Sequence, residues 1–264
     1  MVTNINKFLL KLLFVLFLSL LASVPFSGSR YLSSLMMYAV LAAFCLVYIR
    51  KNNIDIQLSP KIESSNLILC LLLTILAFPI ANALFSFGKM LFHTSKELSV
   101  GSGNILIELI VLALIPAIVE ETLFRGILCN MLSGLDSKFA ILIPSLIFAL
   151  FHFYIPSVLY AFLYGCIFSI VYLCTKNLIY NILMHLMFNS LNVFMSHFNI
   201  PGYSIFIMVI ITIFSFLLFI VLLYSLISDN RSVFERKAQS RIFTKEGYIA
   251  LSIFVCIGIA VTYM

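Results

Sequence analysis

Nine apolar runs, each close to the length of a bilayer crossing and parted only by short polar breaks, fill most of this 264-residue chain. A crossing takes about 20 mostly apolar residues at a rise of about 1.5 Å each. The runs fall at 8-26, 32-49, 66-88, 104-132, 139-155, 157-175, 178-197, 203-227 and 247-263. The expected fold is all-α: a polytopic transmembrane helical bundle of about eight to nine spans. The uncertainty in the count lies at the front, where Lys7, Lys11 and an apolar stretch ending in "LASVPFSG" resemble a secretory signal peptide. Further apolar runs follow at once, so an uncleaved first span is expected.

Composition agrees, because 63% of the residues are apolar and 10% are charged. A soluble domain of this size needs about 25% charged residues to cover its surface, so the missing polar surface must face lipid. The net charge of +6 would matter for nucleic acid only if its basic residues gathered on a solvated face. They sit instead in the breaks between runs, where they act as topology signals. With the amino terminus inside, twelve basic residues fall on the inner side and three (Arg30, Lys89 and Lys96) on the outer. The expected arrangement has a cytoplasmic N-terminus and a C-terminus outside, with lipid bilayer and not nucleic acid as the surroundings.

The two longer polar connections, 50-65 and 228-246, are too short to be domains. The organisation reads as N-terminal transmembrane helices over 1-100, core helices over 101-200 and C-terminal transmembrane helices over 201-264, one integrated membrane domain. No organelle-targeting feature stands out in this Ile-, Asn- and Phe-rich chain, so a bacterial cell membrane is the expected location. The six cysteines form no CxxC pair and lie mostly within apolar runs, where they act as small hydrophobes.

Ionisable groups inside spans are functional candidates, since centring one in a bilayer costs about 2.5 to 3.5 kcal/mol. The fourth run carries Glu120, Glu121 and Arg125. Glu121 and Arg125 stand four apart on one helix face, in the favourable acid-first order, and are expected to neutralise each other. Glu120 lies about 100° further round and must seek its partner on another helix. The fifth run supplies Phe148 and His152 in "FALFH", and the seventh supplies His185 and Asn189 in "HLMFN". Asn181, Asn192 and Ser196 extend the seventh run's polar stripe, which should point into the bundle. Glu108 is expected to meet lipid headgroups, and His93 and His197 to be interfacial.

Counted from the cytoplasmic breaks, Glu120 lies about 20 Å deep, His152 about 21 Å, His185 about 14 Å and Asn189 about 20 Å. These groups share a slab near the bilayer centre. A desolvated glutamate there gains basicity towards water, and an imidazole beside an asparagine can donate to the oxyanion of an attacked peptide carbonyl. Pro116, one turn before Glu120, removes a backbone donor and allows a kink or opening beside the acidic pair.

Together E-E-T-L-F-R (120-125), F-A-L-F-H (148-152) and H-L-M-F-N (185-189) resemble the EExxxR, FxxxH and HxxxN motifs of the CPBP intramembrane proteases. That family holds the type II CAAX prenyl endopeptidases and the bacterial Abi proteins of bacteriocin processing and self-immunity. The resemblance spans residues 120 to 189 with each motif position filled. It implies that Glu120 and His152 position and activate water, that His185 and Asn189 form the oxyanion hole, and that Glu121 and Arg125, with Phe148, support the architecture. Its implied substrate is a membrane-associated peptide or protein. The family has been described both as metal-dependent and as metal-free. The missing HExxH favours a glutamate-type hydrolase without a cofactor; a divalent metal such as zinc would fall to Glu120, His152 and His185. Two other classes compete: a proton-coupled transporter using the same Glu and His residues, and a non-catalytic immunity or scaffold protein.

Overall fold

A computed structural model of the chain describes residues 2–94, 103–152, 154–198, 205–235 and residue 252, and among these no residue is in a strand. The helices are α1 (Val2–Ser23), α2 (Arg30–Asn52), α3 (Ser64–Leu91), α4 (105–133), α5 (Ser137–Leu150), α6 (Ile155–Thr175), α7 (Leu178–His197), α8 (Ile205–Asp229) and the single turn α9 (Arg231–Phe234). Eight of the nine apolar runs coincide with α1 to α8. Apart from residue 252, the run at 247-263 lies outside the described residues.

Six of these helices (α1 with the turn that follows it, α2, α3, α6, α7 and most of α8) are long and apolar enough to cross a membrane. Large apolar side chains such as Phe14, Phe17, Leu46, Val47, Phe214 and Val221 stand exposed along them. In water such surface would drive association, whereas in hydrocarbon it costs nothing. The chain is an integral membrane protein with an all-α, polytopic bundle.

Polar signals set the helix boundaries. Asp136 caps α5 by accepting from the amides of Lys138 and Phe139, and Asn177 caps α7 by accepting from that of Ile179. Lys176, at φ 50°, ends α6 in the left-handed region, so α6 and α7 are joined by a two-residue reversal that makes them antiparallel neighbours. The polar connection after α2 is pinned to the same corner. The Asn177 amide donates to the carbonyl of Ser59, Leu178 N–H to that of Gln57, and Tyr180 OH accepts from Glu63 N–H.

Two features depart from the sequence reading. The fifth run was expected to remain helical through His152, but α5 ends at Leu150 after 14 residues, about 21 Å. Pro156 has no N–H with which to prolong α5, so the chain breaks before it and restarts as α6 with that proline in the first turn. His152 therefore sits in the turn between α5 and α6. The second departure is in α4, a continuous helical run whose α-helical stretches alternate with two π segments, Leu109–Leu114 and Thr122–Cys129. The first ends just before Pro116, where the N–H of Ile115 reaches the carbonyl of Ile110. That wider turn takes up the distortion expected at the proline, and such turns often mark functional sites.

Two apolar cores flank the middle of α6. One joins α6 to α1, α2, α4 and α5, and the other joins α6 to α3, α7 and α8. Gly165 lets α6 approach α5 closely: a β-carbon there would come within 2.8 Å of the Ser145 backbone.

Candidate active site

Glu120 and Glu121 close the α-helical stretch Ile115–Glu121, between the two π segments of α4. They face different partners. Glu121 is fully buried, and its Oε1 accepts from Arg125 Nη1 at 3.0 Å and from His185 Nδ1 at 2.8 Å. Arg125, equally buried, donates through Nη2 to the carbonyl of Gly165 at 3.0 Å. Its guanidinium carbon lies 4.7 Å from the ring centre of Phe148 and 5.2 Å from that of Phe168. One cation thus ties together α4, α5 and α6, and its carboxylate partner adds α7. In a low-dielectric interior such a charge persists only when paired and hydrogen-bonded, and here it also has π faces. The expected Glu121–Arg125 pair is present; its link to His185 was not foreseen.

Glu120 is directed to other helices. Its Oε1 accepts from Tyr38 OH of α2 at 2.6 Å, and its Oε2 lies 3.9 Å from His185 Nε2. His185 therefore stands between two carboxylates, its Nδ1 proton given to Glu121 and its Nε2 turned to Glu120.

His152 is fixed by its own turn. Its Nδ1 lies 2.9 Å from the carbonyl of Phe148. A carbonyl can only accept, so Nδ1 carries a proton, and in the neutral imidazole Nε2 keeps its lone pair. The Phe148 ring stands 5.0 Å from the His152 ring and 5.7 Å from that of His185, centre to centre, meeting both edge-on. One phenyl ring thereby touches both imidazoles and covers Arg125.

A cavity of about 540 Å³ brings Glu120, His152, His185 and Asn189 onto one surface, together with Tyr38 and Tyr160. Pro116 and Asn192 also border it, while Glu121, Arg125 and Phe148 stand behind its wall. Asn181 of the polar stripe turns away and donates to the carbonyl of Phe168 at 2.6 Å. Among the described residues no group of three or more His, Cys, Asp or Glu side chains is arranged to hold a metal ion.

Tyr38 escaped the sequence reading, although a signal for it exists. Arg30, Ser34 and Tyr38 recur every four residues along α2 and all three line the cavity, which marks a polar stripe along the first part of a mostly apolar helix. Glu108 was placed wrongly. It is fully buried, accepts from Tyr31 OH at 3.0 Å and from Gly103 N–H at 3.2 Å, and has His197 Nδ1 3.5 Å from its Oε2. The run offered no partner within one turn, and the two that bury it come from α2 and α7, distant in sequence.

Residues 102–191 match the protein-family model described as Type II CAAX prenyl endopeptidase Rce1-like. The matched segment takes in α4 to α6 and most of α7, and so holds Glu120, Glu121, Arg125, Phe148, His152, His185 and Asn189. Tyr38 and the cavity wall formed by α2 and α3 lie before it. No curated protein and no solved structure matches the chain.

Proposed function

We propose that this integral membrane protein, whose residues 102–191 carry a domain of the type II CAAX prenyl endopeptidase family, is an intramembrane endopeptidase acting on a membrane-associated peptide or protein. The observation that carries the reading is the meeting of one carboxylate, two imidazoles and a carboxamide on a single cavity. Each can take a defined part in hydrolysis. Glu120 and the unprotonated Nε2 of His152 hold a water between them, and one of them removes its proton as the oxygen adds to the peptide carbonyl. The carbonyl oxygen, now negative, takes hydrogen bonds from the Asn189 amide and from His185 Nε2. His185 donates there only when both its nitrogens carry protons, which places a positive ring between Glu120 and Glu121. Collapse of the tetrahedral species breaks the C–N bond, and the proton taken from water passes to the leaving amine.

The reading is metal-free, because every step is assigned to a side chain on the cavity wall. The reading includes a cytoplasmic N-terminus and a C-terminus outside, supported by the bias of basic residues to one side, and a bacterial cell membrane as the location. Purified protein, reconstituted with lipid-anchored peptides, tests the mechanism. Glu120→Gln and His152→Ala are each expected to lower kcat about 10²- to 10⁴-fold, with wild-type turnover indifferent to a chelator. Chelator inhibition reversed by zinc would overturn the metal-free mechanism. Proton-driven transport in both wild type and Glu120→Gln, without cleavage in either, would replace the protease by a transporter; intact binding without cleavage or transport would leave a scaffold.

A further inference from the structure

The cavity occupies one half of the bundle. Its lining residues fall between Arg30 and Tyr38 on α2, Ala81 and Lys89 on α3, Val111 and Glu120 on α4, and His185 and Val193 on α7. Successive helices alternate in direction, so the first part of α2 and α4 and the last part of α3 and α7 share an end. The turn with His152 is there too, and Thr94, just after α3, lies beside it with its hydroxyl 3.4 Å from that of Tyr154. The other end is closed. From Leu123 to Cys129 every residue of α4 is buried. The connection 53–63 lies over it: the Asn130 amide donates to the carbonyl of Asp55 at 3.0 Å, and a β-carbon at Gly126 would come within 3.0 Å of the Ile56 side chain. Among the described residues, none beyond Glu120 on α4 and none of the connections at this end lines the cavity.

The two ends differ in charge. Eight of the described Lys and Arg residues belong to the closed end, among them Lys7, Arg50, Lys61, Lys138 and Arg231, whereas Arg30 and Lys89 alone belong to the cavity end. Lys11, with its ammonium 5.9 Å from the ring centre of Tyr48, sets the start of α1 beside the end of α2. An excess of basic residues in short connections marks the cytoplasmic side. Depth points the same way. The 14 residues of α5 start at the closed end with the exposed Lys138 in the first turn. They rise about 21 Å through a hydrocarbon core about 30 Å thick, so the turn with His152 stops about 9 Å short of the opposite face. Glu120, about 20 Å up from the end of α4, stops at the same level.

Resting on the protease reading, we propose that the cavity opens on the face of the membrane away from the cytoplasm, and that the substrate is a membrane-anchored peptide segment already carried across, with its scissile bond held in the outer leaflet. A segment arriving from the cytoplasm would have to part α4 from the connection 53–63, where apolar packing and backbone hydrogen bonds close the bundle. From the opposite face it meets the cavity wall directly and reaches Glu120 and His152 within the outer half of the bilayer. The reaction that supplies such a substrate is a translocation, and the polar fragment cut from it is released outside the cell.

The test uses the full chain in sealed right-side-out and inverted membrane vesicles. Asn82, an exposed residue of the cavity wall, and Lys61, an exposed residue of the closed end, are each replaced by cysteine and treated with a membrane-impermeant maleimide beside wild type, which gives the background of the native thiols. Asn82→Cys should label in right-side-out vesicles and not in inverted ones, and Lys61→Cys the reverse. Labelling of Asn82→Cys from the inverted side, from both sides or from neither overturns the opening, and so does labelling of Lys61→Cys in right-side-out vesicles. A second arm adds lipid-anchored peptides, with a charged end that cannot cross the bilayer, to the outside of each preparation. Wild type should cleave them in right-side-out vesicles and, in inverted ones, only after detergent opens the membrane. Cleavage in intact inverted vesicles, alone or equal to that in the other preparation, overturns the proposal. The expected labelling with no cleavage in either preparation, before or after detergent, would keep the opening and defeat the protease reading.

Discussion

Tyr38 of α2 donates a 2.6 Å hydrogen bond to Glu120 of α4, and so brings into the site a helix that lies outside the matched domain. The bond holds Oε1, which leaves Oε2 as the oxygen facing His185 at 3.9 Å. A carboxylate with one oxygen held has one free oxygen for water, and its orientation no longer has to be selected from several rotamers at each turnover.

Replacing Tyr38 by Phe keeps the ring and removes only that donor. We expect kcat to fall about tenfold, the equivalent of one lost hydrogen bond to a charged group, with KM and thermal unfolding little changed. Steady-state peptide cleavage beside an unfolding curve in detergent decides it. A variant with unaltered kcat would show that Glu120 is oriented by other means.

The reach of the sequence is uneven for a physical reason. Glu121 and Arg125 are neighbours through helix periodicity alone, and the structure pairs them at 3.0 Å as the spacing requires. A common depth for Glu120, His152, His185 and Asn189 is what rise per residue and the polar breaks lead one to expect, and all four line one cavity. Tyr38 and Glu108 were lost because their bonds span helices 82 and 77 residues apart. Periodicity says which face a residue occupies, not which helix that face will meet. The π segments of α4 are equally silent in a single sequence, since no residue type in them specifies the wider turn.

Arg125 makes a prediction about charge shape. It bridges Glu121 and the carbonyl of Gly165 with two separate N–H groups while its guanidinium carbon lies 4.7 Å from the ring centre of Phe148. Lysine preserves the charge but has neither the fork nor the planar face. Arg125→Lys should therefore destabilise the bundle by about 3 kcal/mol, close to the loss seen when a buried pair is broken. An unfolding midpoint equal to that of wild type would mean that the ammonium recovers both contacts.

Gly165 tests packing apart from charge. An added β-carbon meets the Ser145 α-carbon at 2.8 Å, and because that neighbour is backbone the helices themselves must part. Gly165→Ala is expected to cost about 1 to 3 kcal/mol and to weaken the Arg125 bond to the carbonyl of residue 165 as α6 shifts. Thermal unfolding of the single variant measures it; an unchanged midpoint would contradict the close approach of α5 and α6.

Tyr31, Glu108 and His197 reproduce the pattern of Tyr38, Glu120 and His185 on the same three helices. In each set a tyrosine of α2 donates to Oε1 of a glutamate of α4, and an imidazole nitrogen of α7 lies 3.5 or 3.9 Å from Oε2. The glutamates are about 18 Å apart along α4, and the histidines step back by the same amount because α7 runs antiparallel to it. What separates the sets is access. Glu120 lines the cavity, whereas Glu108 is sealed from it and accepts a backbone amide from Gly103 as well. Chemistry needs water and substrate at the carboxylate, so the proposed reaction assigns Glu108 to joining helices and Glu120 to the reacting role. Glu108→Gln should lower the unfolding midpoint by several degrees while leaving kcat within about twofold of wild type, a difference well under 1 kcal/mol, and Glu120→Gln should do the reverse. Parallel kinetics and unfolding on the two variants make the comparison direct. If Glu108→Gln stays folded and loses cleavage as deeply as Glu120→Gln, access to the cavity is not what distinguishes the two acids, and the assignment of Glu120 as the reacting group falls.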